Sequence, residues 1–595
     1  MFLKDHRRHK DGKEHHYYSL CETIRTEQGP RHRRVCYLGE LNTDVQSVWR
    51  RTVEVVGADG EPRQLTLWAD SVASAPSGEG AATIQLKGVR WERPRDFGAV
   101  YAGWALWKRL NLDRFYQRTI DAPVTRTAEV PWSAVAAILA INRLCAPRSE
   151  LFIDEQWYKQ TALDDITGVP EPKVHKDRLY ACLDKLIGKK TELEQHLKAR
   201  WGELFQATYD VLLYDLTSTY FEGEALGNRQ ARRGYSRDHR PDCKQVVVAL
   251  IVSEEGFPFA FEVMDGNRRD VTTLEDMLQA IETRYGVARR IWVFDRGVVS
   301  EANLKLLRKR KMPYVCGTPR SALRTFEQEL TSRQDWEQVK DDVEIHKVRR
   351  VSQDETYLLV RSRGRRLKEN AMRTLQMKRL EKSLQGLAQQ VKKGRLRDEK
   401  KIHFKAGQIL GHYPSVASLY EIDVKTGPKK RLRLDWSRRI EKLRWKEITA
   451  GTYLIRTNLC DVELDKLWQI YMQLTEAEAA FRAIKSELLI RPVWHQKKER
   501  VQAHILVAFL GYALWVTLKH SLKGTAPLHE YDYDVTPWKA LKTLARIKSG
   551  DIILPAIDGR ILRLRRVSTP DAEEQKLLHH LRIALPDRLC ADQAL

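Results

Sequence analysis

Two aspartates stand at the ends of apolar runs that are typical of buried β-strands. Asp215 follows the apolar residues 211–214, and Asp295 follows the run 290–294. They are 80 positions apart (295 − 215) and meet only if both strands belong to one sheet, where ligands collect outside the strand ends. Two adjacent carboxylates repel each other unless a cation lies between them. The pattern therefore predicts a magnesium site; the alternative is that both aspartates only cap turns.

A third carboxylate has partners at regular spacing. Tyr471, Glu478 and Lys485 recur every seven residues in the segment 462–488, which the sequence predicts to be one long helix. An α-helix turns about 100° per residue, so a spacing of seven returns close to the same face. Glu476 lies two positions before Glu478 and would point about 160° away around the helix axis. The spacing therefore predicts that Glu478, and not Glu476, shares a helix face with Tyr471 and Lys485.

The net charge indicates the class of partner. The chain of 595 residues contains 103 Lys and Arg against 79 Asp and Glu, a formal net charge of +24. A surplus of this size favours a polyanion, with DNA or RNA as the first expectation. A membrane surface is the alternative, but no polybasic segment adjoins a lipid anchor or a spanning helix. The apolar run 505–518 is short for a bilayer and predicts a buried helix.

The cysteines and the first residues bear on the cellular compartment. The eight cysteines are scattered and form no C-x-x-C pair, which is typical of reduced thiols. Residues 1–18 are charged and lack the apolar core of a secretory signal. We therefore expect a cytoplasmic protein.

The elements that would position the two aspartates form a mixed sheet. After the Asp215 strand come a basic loop at 229–244, two strands, a helix, the Asp295 strand, a second helix and a short strand. The first three strands form a meander, and the last two are reached through helical crossovers. This β-β-β-α-β-α-β order is the layout of a ribonuclease-H-like mixed sheet. The predicted fold class is thus α/β, interrupted by an α+β insertion and preceded by an N-terminal hairpin and helical domain.

A chain of this length exceeds one hydrophobic core and divides into several domains. Glycine-containing turns predict hairpins near the N-terminus, and apolar residues at three- and four-residue spacing then predict helices. The predicted regions are 1–97 (β-rich region and linker), 98–205 (helical, expected to grip DNA), 206–320 (sheet domain, first part), 321–449 (insertion domain), 450–530 (sheet domain, second part) and 531–595 (C-terminal region).

The insertion combines cations with aromatic rings. Trp436 and Trp445 lie within a dense run of Lys and Arg from 429 to 446. Cations beside aromatic side chains suit a nucleic-acid backbone whose bases stack on the rings. The alternative is that long basic side chains extend over a small core, and both can hold together. The cations expected to contact DNA are Lys429, Lys430, Arg438 and Arg439.

Three motifs around the sheet resemble those of the DDE transposases of bacterial insertion sequences. The stretch DLTSTYF at 215–221 is similar to the first-aspartate motif of that family. GNRRD at 266–270 is similar to its G-N-x-x-D turn, and FDRG at 294–297 to its D-R-G second-aspartate motif. The insertion also falls in the family's place, between the second aspartate and the glutamate.

The helical segment carries a fourth motif. It is similar to the signature Y-x2-R-x3-E-x6-K of the group called insertion sequence family four. Tyr471, Glu478 and Lys485 stand at the required spacing. Leu474 occupies the position where the signature has arginine, so one expected contact with DNA, or one supporting contact, is missing.

The resemblance implies two-metal phosphodiester chemistry. Two divalent cations roughly 3.5–4 Å apart, Mg²⁺ or in its place Mn²⁺, would activate water and stabilise the leaving oxygen. Asp215 would bridge the ions, Asp295 would hold one, and Glu478 would complete the other side. Such an enzyme cleaves the ends of an insertion sequence and joins the freed 3′-hydroxyl to target DNA. The implied partners are double-stranded DNA and a second copy of the chain in a synaptic homodimer, on the nucleoid of a bacterium.

The resemblance also implies supporting roles. Tyr471, Lys485 and Arg296 are expected to line the path of the DNA strand, with Lys485 as a charge against phosphate. Thr217 and Thr219 are expected to orient the first aspartate or to pack beneath it. Some members of the family flip a base onto a tryptophan of the insertion domain. The candidate tryptophans are Trp336, Trp436 and Trp445.

Two rival functions belong beside this one. A catalytically inactive, domesticated DNA-binding protein derived from a transposase would be marked by the loss of a carboxylate, and all three are present. A hydrolytic nuclease with the same sheet would not need a large basic insertion or a separate helical domain. Strand-transfer activity would distinguish the transposase from both.

Overall fold

The computed structural model describes the backbone of five N-terminal strands and most residues from 84 onward. The described residues are 2–10, 13–26, 29–40, 53–56, 62–65, 84–122, 129–332, 334–350, 354–426, 431–524, 535–557, 559 and 561–586. The cations Lys429 and Lys430, predicted to contact DNA, lie outside these ranges.

The described strands and helices are numbered here in chain order. The strands are β1 (Phe2–Lys10), β2 (Lys13–Thr26), β3 (Gly29–Glu40), β4 (Val53–Val56), β5 (Pro62–Leu65), β6 (Arg90–Asp96), β7 (Val211–Tyr220), β8 (Gln245–Val252), β9 (Pro258–Asp265), β10 (Ile291–Phe294), β11 (Tyr314–Thr318), β12 (Glu337–Lys340), β13 (Val343–Arg350), β14 (Glu355–Ser362), β15 (Tyr420–Thr426), β16 (Leu432–Arg438), β17 (Thr452–Thr457), β18 (Lys548–Pro555) and β19 (Ile561–Val567). The α-helices are α1 (Gly98–Arg109), α2 (Leu112–Tyr116), α3 (Trp132–Cys145), α4 (Glu150–Phe152), α5 (Tyr158–Gln160), α6 (Leu163–Thr167), α7 (Lys176–Leu186), α8 (Lys190–Phe205), α9 (Leu274–Tyr285), α10 (Glu301–Lys309), α11 (Glu327–Thr331), α12 (Arg363–Lys392), α13 (Glu399–His412), α14 (Pro414–Ala417), α15 (Ile440–Ile448), α16 (Leu464–Met472), α17 (Leu474–Arg482), α18 (Lys498–Ser521), α19 (Pro537–Leu544) and α20 (Ala572–Leu581).

The chain divides into two compact units that interleave along the sequence. One unit consists of Met1–Leu193, Ser486–Leu489 and Gln502–Leu595, and the other of Glu194–Lys485 and Ile490–Val501. This division differs from the predicted second part of the sheet domain, 450–530, because residues from 502 onward group with the first unit.

The first unit contains two antiparallel sheets and a group of helices. Strands β1, β2 and β3 form consecutive hairpins. A five-stranded sheet has the order β5-β4-β19-β18-β6, so strands near both ends of the chain pair with each other. Helices α1 to α7 occupy the range where the apolar spacing predicts helices.

The apolar run 505–518 lies in helix α18. This helix is long and apolar enough to cross a membrane by composition alone, but 89% of its most apolar window is buried inside the protein. Its residues Leu506, Leu510 and Leu514 have no exposed surface. The expectation of a buried helix is confirmed.

The second unit is built on one nine-stranded sheet of order β12-β13-β14-β17-β11-β10-β7-β8-β9. Strands β7, β8 and β9 form an antiparallel meander, and β10 and β11 then add in parallel after helices α9 and α10. Strand β8 is buried along its whole length, as its continuous apolar run requires of a central strand. The predicted strand order and the mixed α/β, ribonuclease-H-like fold are confirmed.

Three strands of the predicted insertion belong to this main sheet. Strand β14 pairs with β17, and β13 and β12 extend the sheet beyond it. The alternating pattern of such strands does not specify which sheet they join, so the predicted insertion, 321–449, includes them. The chain leaves the sheet only at α12, whose N-cap Ser362 accepts a hydrogen bond from the backbone of Arg365.

The part of the chain between β14 and β17 has a small core of its own. Helix α12 runs from Arg363 to Lys392. Its buried residues pack with α13, α14 and the two-stranded sheet β15–β16. These residues are Met377, Leu380, Leu384, Leu387 and Val391.

The predicted single helix over 462–488 is interrupted. Helix α16 ends at Met472, α17 begins at Leu474, and a π-helical turn spans Ala483–Glu487. The break falls between Tyr471 and Glu478, and the π turn contains Lys485. The regular seven-residue stripe therefore does not extend through all three residues, because a π turn changes the angle per residue.

Candidate active site

The two aspartates lie side by side, but only Asp295 follows the end of its strand; Asp215 lies in the middle of β7, which continues to Tyr220 because residues 215–220 stay paired with β8. Strand β10 pairs in parallel with β7 in the register Ile291 with Val211 through Phe294 with Tyr214. Continuing this register by one residue places Asp295 opposite Asp215. Neighbouring strands are about 4.8 Å apart, and residues opposite each other point to the same face. Two residues 80 positions apart in sequence thus become neighbours through strand pairing.

The environment of Asp215 opposes its negative charge. The pKa of Asp215 is raised to about 6, first by burial and then by the charges of Glu478 and Asp295. The backbone N–H of Leu216, which donates to Asp215 at 2.7 Å, and the cation Arg237 act in the opposite direction. The three predicted carboxylates are therefore close enough to interact electrically.

Glu478 reaches the site from helix α17, which packs against β7. Glu478 is exposed, whereas Glu476 is half-buried. A cavity of about 560 Å³ is lined by both Asp295 and Glu478, but not by Glu476. The geometry thus places Glu478 on the side of the aspartates, as its spacing predicts.

Tyr471 lies beside Asp295 because a glycine leaves room for it. A Cβ atom placed on Gly317 of β11 would lie 2.5 Å from the Tyr471 hydroxyl oxygen and 3.4 Å from Oδ1 of Asp295. Burial, followed by the charge of Asp295, raises the pKa of Tyr471. The hydroxyl therefore stays protonated and can donate a hydrogen bond in the cavity that it lines.

Lys485 is engaged elsewhere. Its Nζ donates to Oδ1 of Asp238 at 2.9 Å, and Arg491 pairs with the same carboxylate. The Lys485 side chain is 15% exposed and the Asp238 side chain 3%. Lys485 is not among the residues that line the cavity. Its expected contact with DNA stays a prediction, and in this structure its charge balances a buried aspartate.

The two threonines after Asp215 are buried on the same face of β7. Thr217 is 3% exposed, and Thr219 has no exposed surface. The Thr219 hydroxyl donates to the carbonyl of Ile490 at 3.4 Å. Thr219 therefore links β7 to the segment after the π turn, and the packing role is the one that the structure supports for this pair.

Two residues near the site are not singled out by sequence reasoning. Arg237 forms an ion pair with Asp270, whose Oδ2 lies 3.3 Å from the position of a Cβ on Gly297. Arg237 thereby fixes the basic loop beside both aspartate motifs and lowers the pKa of Asp215. Asp238 is the second such residue. The only sequence signal for either was the basic character of the loop 229–244, which does not distinguish one residue from another.

A family comparison decides what kind of protein this is. Residues 206–514, more than half of the chain, match the family described as the transposase DDE domain. The chain belongs to the DDE transposase family. A piggyBac transposase synaptic complex with hairpin DNA aligns over 75% of this chain and 79% of its own, with 9% sequence identity and a TM-score of 0.34, too low to establish a shared fold. No curated protein sequence matches this transposase.

The donor set of this transposase fits a hard divalent cation. Asp215, Asp295 and Glu478 offer carboxylate oxygens, which Mg²⁺ and Mn²⁺ prefer over nitrogen or sulfur. Burial, and to a smaller extent the charges of Glu478 and Asp295, raise the pKa of Asp215, and a bound cation would stabilise its ionised form. The chemistry of the three acids therefore agrees with a metal site.

The tryptophans of the transposase insertion pack against small cores. Trp436 is half-buried against the cluster that contains Leu380 and Tyr420. Trp445 is half-buried against the cluster that contains Leu454, and Arg324 lies over its ring at 5.7 Å. Trp336 joins the same cluster, with Arg361 at 3.9 Å from its ring centroid. The structure favours the packing interpretation, and stacking on bases stays a prediction.

Proposed function

We propose that the chain is an active transposase that cleaves DNA at the ends of an insertion sequence and joins them to target DNA. The observation that supports this most is the parallel register that aligns Asp215 with Asp295, while Glu478 of helix α17 lines the same cavity as Asp295. This arrangement occurs inside the segment that matches the transposase DDE domain. The resemblance to insertion sequence family four is part of the same proposal.

The residues of the site divide the work. Asp215, Asp295 and Glu478 would hold the metal ions. Tyr471, kept protonated by burial, would donate a hydrogen bond to the DNA strand in the cavity. Arg296, exposed next to Asp295, would contact a phosphate. Two Mg²⁺ ions, when bound, would supply an activated water and neutralise charge on the leaving oxygen.

The proposed substrate is double-stranded DNA. The formal net charge of +24 gives the chain a long-range attraction for a polyanion. Joining two ends to one target requires two active sites, so a homodimer in the synaptic complex is part of the proposal. A bacterial cytoplasm, with the chain on the nucleoid when DNA is bound, is the matching location.

The deciding experiment measures cleavage of the element ends that flank the gene. We expect strand cleavage and strand transfer in Mg²⁺ or Mn²⁺ and neither in excess EDTA. Asp215→Asn and Asp295→Asn should abolish both reactions yet leave binding to the ends, because binding depends mainly on Lys and Arg. Undiminished cutting in EDTA would contradict a metal-dependent site.

The same assay separates the rival functions. End binding without cleavage by the unmodified chain in either metal would identify a domesticated DNA-binding protein. Cleavage without joining of the 3′-hydroxyl to target DNA would identify a hydrolytic nuclease.

A further inference from the structure

The cavity beside the acidic residues has a second, cationic set of lining residues. Four cations from different elements line it together with three acids, Asp295, Asp342 and Glu478. We call these four the cationic wall: Arg296, Arg320, Lys340 and Arg365. A cavity that combines metal-binding carboxylates with cations suits a phosphodiester chain, since one phosphate can meet the metal site while a neighbouring phosphate meets the cations.

Two arginines of the cationic wall are held in place by one carboxylate. Arg320 donates to Oε2 of Glu369 at 2.6 Å, and Nε of Arg365 donates to Oε1 at 3.1 Å. Glu369 is itself fixed by the backbone N–H of Gly451 at 3.0 Å. One carboxylate cancels at most one of the two positive charges. Together with Glu369, Arg320 and Arg365 therefore keep a net charge of +1, and both guanidiniums are held in a defined orientation.

Arg365 remains available to a ligand. Its side chain is 50% exposed, and its guanidinium lies over the ring of Tyr453 at 5.4 Å. The Tyr453 ring stacks in turn with Tyr471 at 6.2 Å between centroids. A guanidinium carries five N–H donors, and the bond to Glu369 uses only Nε. Packing on the aromatic face and one ion pair thus orient Arg365 while other donors stay open.

The same cavity contains the residue that departs from the family signature. Leu474, which stands where the signature has arginine, lines this same cavity and is 6% exposed. Helix α17 therefore contributes an apolar side chain where a cation is expected. Arg365 brings a guanidinium to the same cavity from the first turn of α12.

We propose that Arg365, together with Arg320 and positioned by Glu369, binds a backbone phosphate of the DNA strand next to the bond that is cut, in place of the cation missing at Leu474. The inference rests on the proposed function, because it assumes that the DNA strand is cut in this cavity. The chemistry recognised is the phosphodiester, so we expect no dependence on the base at that position.

The test compares Arg365→Ala with a matched control, Arg366→Ala. Arg366 is exposed in the same helical turn but does not line the cavity. Loss of one charge-assisted hydrogen-bonded contact corresponds to a rate about 10- to 100-fold lower in single-turnover cleavage of end DNA in Mg²⁺. The slope of log binding constant against log salt should fall by about one unit in Arg365→Ala alone. Equal rates and equal slopes in the two variants would overturn the proposal.

A second variant asks whether Arg365 replaces the missing cation. Leu474→Arg introduced into the Arg365→Ala protein should recover part of the lost cleavage rate. A double variant that melts at the temperature of the single variant and yet recovers nothing would refute the replacement. Inorganic phosphate provides a further check. If it raises the Tm of the unmodified chain but not of Arg365→Ala while both bind DNA equally, the arginines form an anion site outside the DNA path, and the proposal is wrong.

The binding outcome can be separated from the proposed function. Absence of cleavage by the unmodified chain would refute the proposed activity. The salt slopes of Arg365→Ala and Arg366→Ala would still decide whether Arg365 contacts the DNA backbone.

Discussion

Asp215 shows what a buried carboxylate costs the fold that holds it. Its pKa is raised from the ordinary 3.8 to about 6, first by burial and then by the charges of Glu478 and Asp295. A carboxyl whose pKa is higher in the folded than in the unfolded chain stabilises the fold only while it is protonated. That stabilisation is complete below about pH 3.8 and is lost as the pH rises through about 6. At neutral pH the ionised group opposes folding unless a cation compensates it.

Replacing this carboxylate should therefore stabilise the metal-free protein. We expect Asp215→Asn to raise the Tm in EDTA above pH 6, and the difference from the unmodified chain to shrink toward pH 4 as Asp215 becomes protonated. In Mg²⁺ the difference should shrink or reverse, since the metal stabilises the chain that binds it better. Thermal melts at several pH values, with and without metal, make the measurement. A difference in Tm that does not change with pH would contradict the raised pKa.

The two glutamates of α17 provide a second test at the residue scale. Glu478 is exposed and lines the cavity with Asp295, whereas Glu476 does not line it. We expect Glu478→Gln to eliminate strand cleavage and strand transfer and Glu476→Gln to retain most of both. Both variants keep the size of the side chain, so each serves as the control for the other. The opposite result would show that the motif has been placed in the wrong register.

At the scale of elements, sequence reasoning succeeded where the signal was local. The apolar runs before Asp215 and Asp295 define two strands, and the turn between β8 and β9 defines a hairpin, so the mixed sheet follows. The partner of Lys485 could not be found in this way, because Asp238 is 247 positions away in a loop without periodicity. The break at Gln473 lacks the Pro or Gly that usually marks one.

The membership of strands in sheets is equally non-local. Strands β13 and β14 show clear β patterns, but only pairing with β17, about 100 residues away, assigns them to the main sheet. The small core between β14 and β17 was predictable in part. The apolar stripe of α12 identifies its buried face, whereas its contacts with β15 and β16 depend on the tertiary fold.

The segment between β14 and β17 should contact DNA through its exposed cations. Arg438 pairs with Glu381 at 2.8 Å and Arg439 with Glu421 at 3.9 Å, and both arginines are exposed. Exposed pairs of this kind contribute little to stability, so phosphates can compete for the guanidiniums. We expect Arg438→Ala with Arg439→Ala to weaken DNA binding and to lower the salt slope by roughly one unit per lost phosphate contact.

The control for this segment removes two exposed cations elsewhere. Lys305→Ala with Lys309→Ala removes the same number of positive charges. Both residues lie in helix α10, outside the segment between β14 and β17. Extending the test variant with Lys429→Ala and Lys430→Ala should lower the slope further. A salt slope equal to that of the control pair would show that Arg438 and Arg439 are only solvated.

At the scale of the whole molecule, the interleaving of the two units limits how the chain can be divided. The sheet unit needs Ile490–Val501, which follows a short segment assigned to the other unit. Within that stretch, the backbone N–H of Val493 donates to Tyr220 at 2.9 Å, and the N–H of Glu222 donates to Val493 at 3.1 Å. These bonds fix the end of β7, the strand that carries Asp215.

A fragment that stops at 485 should therefore be less stable than one that stops at 501. The shorter fragment, 194–485, loses Val493, which is fully buried, and leaves the buried Asp238 without Arg491. Losing the Val493 side chain from the core costs on the order of 2 kcal/mol, and Asp238 keeps its bond to Lys485 but loses the second of its two cations. We expect 194–501 to unfold cooperatively at a distinctly higher Tm than 194–485, as measured by circular dichroism at equal concentration. Equal melting temperatures would show that residues 490–501 do not stabilise the sheet unit. The hydrogen bonds of Thr219 and Tyr220 to this segment would then contribute little to stability.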